Sequence, residues 1–228
     1  MTKNWRSEWP HWLLLIGMFL MGAIAWPHTS EPVPVHWGFD STADRYGGRV
    51  EGVLLLPLLT LGVYLFMLLS PRLDPGRANY VLFAGAYALI RFAVLALLVA
   101  VYGAAVLSAT GNALDMARVM PLLIGTFLVV IGSVMGKLRP TWFVGVRTPW
   151  TLSSARAWGK TQRLGGWVFI GAGLLLLLGG LLRLPAITMI ALVALIAGSL
   201  GLYAYSYAIW RKDRGAVPPA GSQPVEEG

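Results

Sequence analysis

Six apolar stretches, each close to the length a bilayer demands, constrain this chain more than anything else in it. A helix rises about 1.5 Å per residue, so a hydrocarbon core of about 30 Å requires about 20 mostly apolar residues. Residues 12–26, 50–70, 79–107, 119–136, 165–182 and 185–210 meet or approach that length, the first short and the third long. Segments rich in proline, glycine and charge separate them and break the pattern. The spacing predicts an all-α polytopic membrane protein with six transmembrane helices. A water-soluble globule is excluded, because 57% of the residues are apolar and 12% charged, against roughly 45–50% and 25% in soluble domains.

The basic residues orient the spans. Lys3, Arg6, Arg72, Arg77, Lys137, Arg139, Arg147, Arg156, Lys160, Arg163, Arg211, Lys212 and Arg214 fall on one side, and only Arg45, Arg49, Arg118 and Arg183 on the other. By the positive-inside rule both termini are cytoplasmic, as expected for a multi-pass protein of a cytoplasmic membrane. The net charge of +8 therefore reflects inner loops, and no nucleic-acid binding is expected. With Cys 0 there is no disulfide, thiolate metal site or cysteine nucleophile. Lys3 and Arg6 before an apolar run ending Ala23-Ile24-Ala25 also fit a secretory signal peptide, whose cleavage would leave five spans. A retained first helix is the expectation. The tail 215–228, with three prolines and two glutamates, has almost nothing apolar to bury and is expected to be disordered.

The outer loop, residues 27–49, gathers His28, Glu31, His36, Asp40 and Asp44. Imidazole and carboxylate are ligands of zinc and iron and partners in acid–base chemistry. The spacing matches no strong zinc signature, and Pro32, Pro34 and Gly38 oppose a helix that would bring His36 and Asp40 together. The favoured reading is structural: an extended Val33-Pro34-Val35-His36-Trp37, Trp37 and Tyr46 at the interface, and Asp40 and Asp44 in turns or paired with Arg45 and Arg49. Whether the loop holds a metal stays open. Pro34-Val35-His36-Trp37, then Asp44-Arg45-Tyr46 and Arg49, resembles the extracytoplasmic module DUF1648, with Gly38 where that module has Asn and Ser41 where it has Gly.

The inner loop, residues 137–163, is strongly basic and carries no acid. Its default reading is a polybasic loop against anionic headgroups, with Trp142, Trp150 and Trp158 at the interface. Within it, Gly145-Val146-Arg147-Thr148-Pro149-Trp150-Thr151-Leu152-Ser153 leads into a helix. Pro149 suits a helix start, Thr151 or Ser153 could cap a helix beginning near Ser154, and Arg156 and Lys160 would share a side. Together with Trp158, Thr161 and Gly165-Gly166, this stretch is similar to the signature of the SdpI family, with Thr141 where the family often has Asn.

The two resemblances imply four regions: 1–70 DUF1648-like, 71–118 a linking third span, 119–214 an SdpI-like half with its basic loop 137–164, and the tail 215–228. They also imply a membrane protein that gives resistance to a toxic peptide met outside and, in the namesake, binds a repressor inside. On this reading Pro34, His36, Trp37, Asp40, Asp44, Tyr46 and Arg49 face the toxin or ligand. Gly145, Arg147, Thr148, Pro149, Trp150, Thr151 and Trp158 form the inner, partner-binding motif. No catalytic residue and no cofactor is expected.

Other features allow alternatives. Arg91 lies inside the third span, where a charge costs a few kcal/mol or more unless paired or snorkelling. It either faces the bundle or reaches the headgroups, and apart from Glu51 at the outer edge of the second span no Asp or Glu lies within a span to pair with it. A metal-dependent hydrolase on His36, Asp40 and Asp44 is one competing class, although HExxH and GxSxG are absent. A small transporter is the other, hinted at by Arg91 and the glycine-rich fifth span. Gly165, Gly166, Gly171, Gly173, Gly179 and Gly180 are read as allowing close helix packing, and Tyr203, Tyr205, Tyr207 and Trp210 as an interfacial belt.

Overall fold

The computed structural model describes residues 8–38, 42–112 and 114–213. Asp40, Ser41, Lys3, Arg6, Arg214 and the tail 215–228 lie outside the described residues. Pro10 sits in the first turn of helix α1 (Trp9–Ala25), where its missing N–H costs nothing, and a 3-10 turn (Trp26–His28) extends the helix. Two short strands follow, β1 (Val33–Trp37) and β2 (Ala43–Gly47), then a π-helical turn (Val50–Leu55) that runs into α2 (Leu56–Leu73). A 3-10 turn (Arg77–Phe83) precedes α3 (Ala84–Ala109). Helices α4 (Met116–Met135), α5 (Pro149–Ser153), α6 (Ala155–Leu182) and α7 (Pro185–Arg211) complete the chain.

Among the described residues, six segments are long and apolar enough to cross a membrane: Trp9–His28, Val50–Leu73, Arg77–Ala109, Met116–Met135, Ala155–Leu182 and Pro185–Arg211. The six-helix architecture is the one the hydropathy pattern predicts. Two boundaries differ from that pattern. The first helix starts early enough to include Trp9 and His11, and the fifth starts at Ala155, ten residues before the apolar run. In that added stretch Ala157, Trp158, Thr161, Gln162, Gly165 and Gly166 are buried while Arg156 and Arg163 are exposed. The i, i+3, i+4 spacing of the buried positions marks one face of the helix, so packing carries it through the charges.

Large apolar residues remain exposed at helical spacing, such as Leu13, Ile16, Leu20 and Ile24 on α1 and Ile190, Val193, Ile196 and Leu200 on α7. A lipid-facing surface has this character, since hydrocarbon gives no reason to bury them. Helices α4 and α6 pack instead through glycine. A Cβ on Gly132 would lie 2.7 Å from the Gly166 carbonyl oxygen, and one on Gly125 would lie 2.8 Å from that of Gly173. The two contacts are seven residues apart on each antiparallel helix, a small-residue seam that lets the backbones touch. Gly165, Gly179 and Gly180 also have close neighbours, but Gly171 has nothing within 4 Å of a modest side chain. Five of the six glycines therefore serve packing as expected; Gly171 does not.

Candidate functional site

The outer loop folds as a hairpin. Strands β1 and β2 pair antiparallel, Pro34 opposite Tyr46 and His36 opposite Arg45, with irregular register around His36. Val33 is buried, and the hairpin comes so close to the π-helical turn that a Cβ on Gly52 would lie 2.4 Å from Val33 Cγ1. Across the hairpin His36 Nδ1 and Asp44 Oδ1 are 2.5 Å apart, both side chains at least half exposed. Asp44 thus pairs with His36 and not with Arg45 or Arg49 as the sequence suggested. Arg45 bonds Glu51 at 2.7 Å, the Arg49 backbone N–H donates to Glu31, and the Arg49 guanidinium lies over the Trp26 ring. The reason is the irregular register around His36: a regular ladder would set His36 on the same face as its partner Arg45, and the irregularity brings it to Asp44 while Arg45 reaches Glu51. Among the described residues no three His, Asp or Glu side chains come together to hold a metal.

Beneath the hairpin lies a cavity of about 680 Å³. Val35, His36, Trp37, Gly38 and Asp44 roof it, and its walls come from the hairpin-side ends of α4, α6 and α7, including Met120, Pro121, Ile124, Leu176 and Leu192. Asp115, Arg118 and Arg183 lie at those helix ends. Arg118 and Arg183 were read from sequence only as outer charges. Nothing in their spacing places them with His36, since the fold alone brings residues 36, 118 and 183 to one chamber.

On the opposite, basic side the inner motif is built around buried polar groups. Asp74, at the end of α2, is buried and accepts hydrogen bonds from the Tyr80 hydroxyl and the backbone N–H groups of Gly76, Trp142 and Phe143. Gly145 has φ of +104°, which a side chain rarely adopts, and packs against Gln162. The Gln162 amide accepts from the Val146 N–H at 3.1 Å and donates to the Val146 carbonyl at 3.0 Å. Thr148 and Thr151 cap α5 reciprocally, and the Thr148 hydroxyl lies 2.9 Å from Ser206 on α7. Ser154 caps α6 and bonds Asp213 at 2.6 Å. Thr148 and Ser154 are therefore the caps, in place of Thr151 and Ser153, because Pro149 fixes the first turn one residue after Thr148.

Of the three inner tryptophans, Trp158 is buried at 2% exposure and donates its Nε1–H to the Leu138 carbonyl, so it belongs to the core and not to the interface. Trp150 packs on Tyr203 and Tyr207, with ring centroids 4.8 and 5.0 Å apart. Trp142 and Arg147 are exposed, the Arg147 guanidinium bonding the Trp142 carbonyl. The motif thus divides into a buried half (Thr148, Thr151, Trp158) and an exposed half (Arg147, Pro149).

Arg91 faces the bundle. It donates from both terminal nitrogens to Glu8, at 2.8 and 3.1 Å, and lies over the Tyr87 ring. Its partner comes from just before the first span, a residue that span counting set aside. Tyr64 also donates to Glu8 at 3.1 Å, and His11, buried, stacks on Tyr64. Burial alone would raise the Glu8 carboxyl, but the hydrogen bonds and charge of Arg91, with the Tyr64 hydroxyl, more than offset it and hold Glu8 below the ordinary carboxylate range.

Comparison with known proteins agrees with this architecture. The SdpI/YfhL protein family profile matches residues 137–206, covering the inner motif and most of α6 and α7. Over that segment the chain is similar to the SdpI/YfhL family. The domain of unknown function DUF1648 matches residues 13–61, which take in α1, the hairpin and the start of α2. The immunity protein SdpI of Bacillus subtilis (strain 168) is 24% identical over 193 residues, covering 82% of this chain and 89% of that protein. No solved structure matches. Asp74, Gln162, Glu8 and His11 are the residues that sequence reasoning missed. Only Asp74 left a trace there, as an acid placed between two basic residues at the end of a span.

Proposed function

We propose that this protein gives a bacterium resistance to a secreted or membrane-active toxic peptide, without catalysis, from the cytoplasmic membrane with both termini inside. The observation that carries the reading is the docked hairpin, which presents the exposed His36–Asp44 pair, with Trp37 and Tyr46 beside it, on the side opposite the basic loops. Likeness over most of the chain to a protein named for immunity supports it. The peptide meets the hairpin face at Pro34, His36, Trp37, Asp44, Tyr46 and Arg49, and Asp40, outside the described residues, is a further candidate contact. On the inner side the exposed Arg147 and Pro149, with Trp150, offer a basic and aromatic surface to a repressor-type protein, while Gly145, Thr148, Thr151 and Trp158 hold that surface in shape.

The test is expression in a peptide-sensitive bacterium. His36→Ala and Asp44→Ala should abolish resistance at unchanged membrane abundance, because both side chains are exposed and do little for the fold. Resistance equal to wild type in both variants would sink the proposal. Arg147→Ala should release the inner partner from the membrane and leave resistance intact.

A further inference from the structure

The chamber under the hairpin has the shape and charge of an amphiphile site. Its walls are apolar to the depth of Ile124 on α4 and Leu192 on α7, six to seven residues below the helix ends at Arg118 and Pro185, or about 10 Å at about 1.5 Å per residue. Its volume of about 680 Å³ lies within the roughly 300–1,000 Å³ usual for small-molecule sites.

The four arginines on the hairpin side divide into two kinds. Arg45 is bonded to Glu51 and Arg49 covers Trp26, while Arg118 and Arg183, both lining the chamber, have no side-chain partner among the described residues. Asp44 is engaged by His36, and Asp115 caps α4 by accepting the Arg118 backbone N–H. Arg183 also has φ of 55°, the one positive φ outside glycine among the described residues. That conformation costs an ordinary side chain roughly 1–2 kcal/mol. At this helix C-terminus glycine would meet the same need without strain.

We propose that this chamber seats one phospholipid of the leaflet on the hairpin side, its phosphate between Arg118 and Arg183 and an acyl chain among Met120, Ile124, Leu176 and Leu192. Two guanidinium groups match a phosphate by charge and by paired hydrogen bonds. The apolar depth selects against a free anion, and a phospholipid already stands at this height in the bilayer with its phosphate above its chains. The phosphate anchors Arg118 and Arg183 do not depend on the peptide reading, since neither is among the residues placed on the peptide face, although His36, Trp37 and Asp44 both roof the chamber and belong to that face.

The experiment uses the full chain, purified in detergent and stripped of lipid, with native mass spectrometry and thermal unfolding as readouts. The probes are dioleoyl phosphatidylglycerol, dioleoylglycerol with the same chains and no phosphate, inorganic phosphate, and an apolar peptide ending in a free carboxylate. One phosphatidylglycerol should bind saturably, and dioleoylglycerol and phosphate at least about tenfold more weakly. Arg118→Gln with Arg183→Gln should lose about tenfold in affinity or more, Ile124→Trp should abolish binding by filling the chamber, and Arg45→Gln should change nothing. Arg183→Gly separates ligand binding from folding, because it relieves the left-handed strain. Without lipid it should unfold no earlier than wild type, yet its stabilisation by phosphatidylglycerol should shrink. Equal binding by wild type, the double glutamine variant and Ile124→Trp would mean annular lipid and overturn the proposal. Binding of phosphate alone, or of the peptide but not the lipid, would overturn it as well.

Discussion

Asp74 receives the backbone N–H of Trp142 on both carboxylate oxygens, at 3.0 and 3.2 Å, across 68 residues of sequence. This contact joins the end of α2, which begins at the hairpin, to the loop that opens the SdpI-type motif. A carboxylate buried at 1% exposure needs donors, and here backbone N–H groups and the Tyr80 hydroxyl supply them.

Asp74→Asn keeps the size but replaces one acceptor oxygen with a donor, which faces N–H groups that need an acceptor. The expected cost is about 1–3 kcal/mol, read as an earlier thermal unfolding midpoint in detergent. Asp74→Ala should cost at least as much. An unchanged midpoint in both would show that the loop does not depend on this carboxylate.

Glu8 and Arg91 form a buried pair in the basic-side half of the bundle. Removing one partner strands the other charge, so Arg91→Met and Glu8→Gln should each destabilise by roughly 3–5 kcal/mol. The double variant should recover much of that loss, and additive losses would refute the pairing. Because Glu8 is held below the ordinary carboxylate value, its contribution is complete above that value and is lost as pH falls through the lowered one. Below about pH 4 the wild type should therefore lose stability faster than Glu8→Gln.

The seam of α4 and α6 leaves no room for side chains at its closest points. Gly132→Val would place a Cβ 2.7 Å from the Gly166 carbonyl oxygen, and overpacking of this kind costs about 1–3 kcal/mol. Gly171→Val, on the exposed side of α6 with open space around it, should be tolerated. Comparing expression and unfolding of the two variants checks the seam directly.

Hydropathy and charge made the six spans legible, because a bilayer imposes length and the positive-inside rule imposes alternation. The extended stretch at residues 33–37 was legible from its prolines and valines. What escaped were long-range partners. Arg91 was visible as a costly charge, yet Glu8 lay outside every apolar window, and only the packing of α1 against α3 brings them together. The helix expected to begin near Ser154 is present, but hydropathy did not join it to the fifth span, since Arg156, Lys160 and Arg163 interrupt the apolar run beside the buried face of Trp158, Thr161 and Gln162. The chamber was illegible because its lining comes from the hairpin and from α4, α6 and α7, which are far apart in sequence. The motif 145–153 was recognisable as a pattern, but its division into buried and exposed residues follows only from the contacts of Thr148 with Thr151 and Ser206.

That division predicts separable effects within one motif. Thr148→Ala removes the α5 cap and the contact to Ser206, at an expected cost of about 0.5–2 kcal/mol. It should lower the unfolding midpoint and weaken every function of the inner loop together. Pro149→Ala alters an exposed position at the start of a five-residue helix, where proline and alanine are both accepted, so its midpoint should move little. Its effect, if the inner surface meets a protein partner, should appear only in membrane recruitment of that partner. A midpoint for Thr148→Ala equal to that of Pro149→Ala would show that the buried half of the motif does not hold the loop, and that the threonines act elsewhere than in the fold.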